Sequence, residues 1–136
     1  MSFGRISWIA VSGAVLAVAA GAAGMWEFQQ ERSETLRRAA SLTGGDPHAG
    51  EEAVVRYGCG SCHTIPGLTQ AHGLVGPPLG GFAGRVYVAG VLSNTPDNVM
   101  GWVKDPQGID PQTAMPNTGV TDADARDIAA FLYTLK

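Results

Sequence analysis

The hydrophobic pattern divides the chain into three parts. From Ile6 to Met25 run twenty positions without a charge, ISWIAVSGAVLAVAAGAAGM. Wound as a helix this stretch is about 30 Å long, the thickness of a bilayer core. Trp8 stands near one end and Trp26 and Phe28 near the other, as an aromatic belt requires. The rival reading is a cleaved signal peptide, with Ile6–Val18 as its apolar core and Ala20-Gly21-Ala22 as a small-residue cleavage site. The full twenty-residue length favours a retained anchor, residues 1–26. Residues 27–45 are a polar connector. Glu27 to Leu42 favours helix, and Glu34 with Arg38 is an i,i+4 pair in the favourable order. So few apolar positions leave it a solvated helix or a contact surface for a partner subunit. Gly44-Gly45 ends it, as a hinge and domain boundary.

The third part, residues 46–136, alternates short amphipathic segments with loops. Asp46 caps a helix with Pro47 in its first turn, and Ala53, Val54 and Tyr57 give that helix an apolar stripe. Thr64 to Gly84 is rich in glycine and proline and reads as loop. Val86 to Leu92 is a short apolar run, strand-like or the start of a turn. Thr95-Pro96 starts a second helix through Val99, Met100, Trp102 and Val103 that stops before Pro106. Residues 105–114 read as another loop. Thr121 caps the last helix, with Asp124 three residues on and Ile128, Phe131, Leu132 and Leu135 as its apolar face. The predicted fold class is all-α: an N-terminal transmembrane helix followed by a small helical domain.

Composition sharpens this picture in two ways. Charged residues are only 15% of 136, and 19 are glycine, which suits a loop-rich domain wrapped around a cofactor. Residues 1–45 carry four basic against three acidic side chains, while residues 46–136 carry five against nine, a net of −4. An acidic domain lacks the basic footprint that nucleic acid demands.

The chemistry sits in Cys59-Gly60-Ser61-Cys62-His63, the C-x-x-C-H spacing of c-type haem attachment. Two thiols three residues apart reach the two vinyl groups of one porphyrin. His63 then lies beneath the metal as its proximal ligand. A structural zinc site needs four ligands, and the chain has two cysteines and three histidines without a second C-x-x-C. A thioredoxin-like pair wants a βαβ setting that no strand pattern supplies. With both cysteines claimed, no disulfide remains. A haem-binding histidine donates its outer N–H to a carbonyl, and the proline-stiffened loop Gly76-Pro77-Pro78-Leu79 is a suitable acceptor. Arg85 is either a partner for a haem propionate or an ordinary surface arginine. Met115, in a proline-bordered loop 52 residues after His63, is either a second axial ligand or core filler. Met100, His48 and His72 are its competitors. One Arg precedes the apolar span and three follow it, which alone places the C-terminal side in the cytoplasm. Haem attachment outside the cytoplasmic membrane overrides that count, leaving the tail with Arg5 inside.

Residues 46–136 resemble a class I cytochrome c. Cys59, Cys62 and His63 match the attachment motif. The resemblance implies that Pro77 supplies the carbonyl for the histidine, that Arg85 and Thr113 serve a propionate, and that Met115 is the distal ligand. It also implies that the Trp102 ring lies against the haem and that the last helix, with Phe131 and Tyr133, crosses the first. Gly58 to Thr64 and Asn94 to Asn98 are similar to the cytochrome c domains fused to or associated with bacterial haem–copper oxidases. Unlike mitochondrial cytochrome c, the chain lacks a lysine ring; only Arg56 and Arg85 lie near the motif. The implied protein binds one covalent heme c. It is a single-pass, periplasm-facing electron carrier of the bacterial cytoplasmic membrane, not an enzyme in its own right. Its donor is a quinol–cytochrome c reductase and its acceptor a terminal oxidase; the alternative is a fixed subunit of one respiratory or photosynthetic complex. Electrons leave by the haem edge near Gly60, Ile65 and Val75.

Overall fold

A computed structural model describes residues 4–136, with side chains from Val11 onward. The expectations for Arg5 and Trp8 therefore lie outside the described side chains. The chain forms two compact units, Met1–Glu34 and Thr35–Lys136.

Helix α1 runs from Gly4 to Thr43 without interruption, so no break separates anchor from connector. In the first unit Val11, Val15, Leu16, Val18, Met25, Trp26 and Phe28 are all exposed. A helix with apolar side chains exposed all round is suited to lipid. This helix is long and apolar enough to cross a membrane.

The second unit begins inside the same helix, where Ala39 and Thr43 are buried. Gly44 ends α1 in the left-handed region at φ 71°, and its N–H donates to the Ala40 carbonyl. The Gly44-Gly45 pair is not the free hinge the sequence implies. A Cβ on Gly45 would lie 2.6 Å from the Arg126 carbonyl carbon and 2.9 Å from the Asp127 nitrogen, so this turn is packed hard against the last helix.

Helix α2, Pro47–Arg56, is capped by Asp46, whose carboxylate accepts from the His48 N–H. Its partner is helix α5, Asp122–Leu132, capped by Thr121 through the Asp124 N–H. The two cross at Gly50, where the α5 backbone at Asp127 takes the space of a side chain. Asp127 also accepts the Asp46 N–H at 2.8 Å. Helix α3, Pro96–Lys104, packs on α5 and is capped by Thr95. The core these helices share includes Ala53, Val54, Val99, Trp102, Ile128 and Leu132.

Two elements refine the expected all-α layout. Strands β1, Tyr87–Val88, and β2, Leu92–Ser93, form a minimal antiparallel hairpin. Residues 105–114 are not all loop: Asp105 accepts from the Gly108 N–H and nucleates helix α4, Pro106–Ile109. Tyr133 lies just beyond α5, and its ring stands edge-on to Phe82 at 5.9 Å.

Candidate functional site

The attachment motif folds as a single 3₁₀ turn, Cys59–Ser61, entered through Gly58 at φ 71°. Its tightness brings the His63 N–H to the Cys59 carbonyl at 3.0 Å. Both cysteines and the imidazole then face one cavity of about 470 Å³. Burial pushes the Cys59 thiol above its ordinary value, with the neighbouring Cys62 adding to the rise.

The proline loop closes on the imidazole from the side. Nδ1–H of His63 donates to the Pro77 carbonyl at 2.7 Å. Because a carbonyl only accepts, that bond puts the proton on Nδ1 and leaves the lone pair on Nε2. The approach needs glycine twice. A Cβ on Gly76 would sit 2.6 Å from His63 Nδ1, and one on Gly73 would meet the Cys62 backbone nitrogen at 2.5 Å. The loop is stitched to the motif by Gly73 N–H to Gly60 O and Gly76 N–H to Cys62 O.

Arg85 leaves a second 3₁₀ turn, Phe82–Gly84, and lines the same cavity. Its guanidinium donates to the carbonyls of Pro78 and Gly80 and lies 5.5 Å over the Phe82 ring. Five donors in a planar fork leave N–H groups for a further anion. Thr113, Met115 and Trp102 line the cavity from the other segments. The Thr113 hydroxyl accepts the Met115 N–H at 3.3 Å and so holds the turn that presents the thioether.

All eight residues singled out from the sequence thus border one cavity: Cys59, Cys62, His63, Pro77, Arg85, Trp102, Thr113 and Met115. The competing ligands lie elsewhere. His48 is exposed at the start of α2, and His72 is exposed in a bridge with Thr64. Met100 packs against the core without bordering the cavity. Ile65 is a correction: at 2% exposure it is a core residue and not part of any exit edge. Val75, 74% exposed, borders the cavity and faces solvent there.

Sequence reasoning missed Asp110 and Tyr87, which also border the cavity. Asp110 carried a usable signal, since Asp-Pro-x favours a turn; its carboxylate accepts the Gln112 N–H at 3.0 Å. Tyr87 carried none.

The donor set fits a covalently held haem. Two thiols, one imidazole with its lone pair free, one thioether and one guanidinium face a cavity whose remaining wall is mostly apolar. The volume falls within the range of ligand sites.

Comparison with known proteins gives the chain a family. The cytochrome c family model matches residues 47–136. Cytochrome c oxidase subunit 2 of Bacillus subtilis (strain 168) is 31% identical over 114 residues, covering 81% of this chain and 32% of that protein. The protein of the same name from Alkalihalophilus pseudofirmus is 28% identical over 114 residues, covering 83% of this chain and 30% of its own. That of Bacillus sp. (strain PS3) is 30% identical over 96 residues, covering 67% and 27%. The chain therefore spans less than a third of the length of these curated relatives. No solved structure matches.

Proposed function

The chain belongs to the cytochrome c family, and we propose that it is a membrane-anchored, single-haem carrier of single electrons. The observation behind this is the convergence of both thiols, His63 and Met115 on one largely apolar cavity. A haem held there supplies one-electron exchange between ferric and ferrous iron.

The protein's own residues do the rest. Cys59 and Cys62 attach the group by thioethers. His63 and Met115 would hold its iron between them, and with both side chains bound no open place would remain for a substrate, as suits a carrier. Pro77 fixes the imidazole plane and raises its basicity through the Nδ1 bond. Arg85 and Thr113 would serve its propionates, and Trp102 with the apolar wall would keep water from the iron. Without the buried Ile65, Gly60 and Val75 mark the edge where electrons would leave.

The anchor is assigned to residues 1–26, the connector to 27–45 and the cytochrome domain to 46–136, with the buried Ala39 and Thr43 extending the domain back into the connector. The protein crosses the bacterial cytoplasmic membrane once, with the cytochrome domain on the periplasmic side. Electrons pass from a quinol–cytochrome c reductase to a terminal haem–copper oxidase. The relatives named as oxidase subunits support that acceptor. A fixed subunit of one complex is the second reading, favoured by the connector 27–45, which is short for a free-ranging tether.

The test is an intact mass of the membrane-extracted protein, with whatever co-migrates on a native gel. The full chain plus one haem is the expected mass. Travel with a larger complex selects the fixed subunit, and travel alone selects the tethered carrier. A chain without haem, or one lacking about its first 22 residues, overturns the anchored-carrier reading.

A further inference from the structure

One side-chain pair outside the cavity reaches the loop that holds it. The Asn94 side-chain nitrogen donates to the carbonyls of Phe82 at 3.1 Å and Arg85 at 3.0 Å. Its side-chain oxygen accepts the Tyr133 hydroxyl at 2.9 Å, across 39 residues of sequence. Its backbone N–H donates to Val86 at 2.9 Å. Both loop groups are acceptors and the tyrosine is a donor, so the amide has one allowed orientation. Neither Asn94 nor Tyr133 borders the cavity.

The loop they grip carries the site. Asn94 clamps both ends of the turn from Phe82 to Arg85, and that turn aims the Arg85 guanidinium at Pro78 and Gly80. Those carbonyls follow directly on Pro77, whose own carbonyl orients His63. Tyr133 also braces Phe82 ring to ring, and Phe82 is the ring beneath the guanidinium. Burial raises the Tyr133 phenol above its ordinary value, which keeps the hydroxyl a donor.

We propose that Asn94 and Tyr133 are positioning residues for the proximal side of the site, acting through Arg85 and the Pro77–Gly80 loop on the hydrogen bond that sets His63. The proposal rests on His63 and Met115 as axial ligands. A looser loop weakens acceptance by Pro77, lowers the basicity of the imidazole and so disfavours the ferric state.

The experiment compares haem-loaded full-length wild type, Tyr133→Phe, Asn94→Ala, the double variant and Tyr57→Phe in detergent. Tyr133→Phe keeps the ring against Phe82 and removes only the donor. Tyr57→Phe removes a comparable hydroxyl bond, to Asp124 at 2.7 Å, on another face. The readout is the ferrous-to-ferric ratio at one fixed applied potential, with urea midpoints recorded alongside. In Tyr133→Phe the ratio should rise about twofold or more, a share of the factor one hydrogen bond is worth. Asn94→Ala should raise it further, and the double variant should match Asn94→Ala, because the hydroxyl acts only through the amide. Tyr57→Phe should leave the ratio unchanged. An unchanged or lowered ratio in Tyr133→Phe overturns the proposal, as does an equal rise in Tyr57→Phe or additivity in the double variant. Carbon monoxide binding by ferrous wild type overturns the ligand assignment instead, and the proposal with it.

Discussion

Gly50 is where the fold has least room, and replacing it with alanine separates two opposite expectations. In an open helix, glycine to alanine gains about 1 kcal/mol. At Gly50 the new Cβ would stand 2.5 Å from the Asp127 carbonyl carbon and 2.8 Å from Phe131 Cβ. Carbon atoms prefer about 3.5–4.0 Å, so α2 and α5 would have to part by roughly 1 Å. Overpacking of that order costs about 1–3 kcal/mol, and here it falls on the largest helix contact of the domain. The Cβ would meet the Asp127 carbonyl oxygen at well under contact distance, which puts the cost at the upper end of that range; less a helical gain of about 1 kcal/mol, we expect Gly50→Ala to destabilise by about 2 kcal/mol, or roughly 8–16 °C in Tm. Gly101→Ala is the paired control. It lies inside α3, and its Cβ would meet only Ile109 Cδ1 at 3.8 Å, an ordinary contact. That variant should gain about 0.5–1 kcal/mol. Urea titration of the haem-loaded chain in detergent, followed by visible absorbance, reads both. If Gly50→Ala proves as stable as wild type, or moves in the same direction as Gly101→Ala, the tight crossing of α2 and α5 is wrong.

Met115→Ala should open one axial position: the ferrous variant should bind carbon monoxide at neutral pH where wild type does not, and its potential should fall with loss of the thioether. Gly76→Ala places a methyl against the His63 ring, 2.6 Å from Nδ1; we expect a lower fraction of chains carrying haem by mass spectrometry, with Gly101→Ala, which makes only an ordinary contact, as a comparison for expression. Asp124 is held below its ordinary value of 3.8, first by the Tyr57 hydroxyl, then by Thr121 and Arg56. A depressed carboxylate contributes stability that is present above its unfolded value and is lost as pH falls through the folded one. Asp124→Asn should therefore lower the urea midpoint at pH 7, and the gap from wild type should narrow progressively as pH drops below about 4; a gap that widens as the solution is acidified refutes the assignment.

What was legible in the sequence was what is local in the chain. Cys59, Cys62 and His63 are neighbours, so their spacing alone states the geometry that the Cys59–Ser61 turn delivers. The same holds for helix starts: Asp46, Thr95 and Thr121 announce themselves by residue type, and each side chain caps its helix. Gly44-Gly45 misled because a glycine pair signals either freedom or close approach, and only the position of Arg126, some 80 residues away, decides between them. Ile65 misled for a related reason. Its place after the motif says nothing of the Ala71 carbonyl that accepts its N–H and folds it inward. The helix Pro106–Ile109 hid behind Pro106, which ends α3 and serves as the first residue of the next turn.

Glycine is what joins those local pieces into a site. The C-x-x-C-H turn presents its three groups but cannot by itself fix the imidazole, which needs a carbonyl from a loop 14 residues on. That loop reaches the ring because Gly73 and Gly76 carry no side chain where it passes the motif. The motif itself stands on α2, and α2 keeps its place because Gly50 admits the backbone of α5. Each contact is closer than a Cβ allows, and each joins segments far apart in the chain. A small domain with few buried side chains gains rigidity from such approaches, since backbone packed on backbone has no rotamers to lose. The loops around the cavity are irregular in form yet tied to the motif by these approaches and by the Gly73 and Gly76 N–H bonds, and an iron site needs such ties to keep its ligands in place as its charge changes.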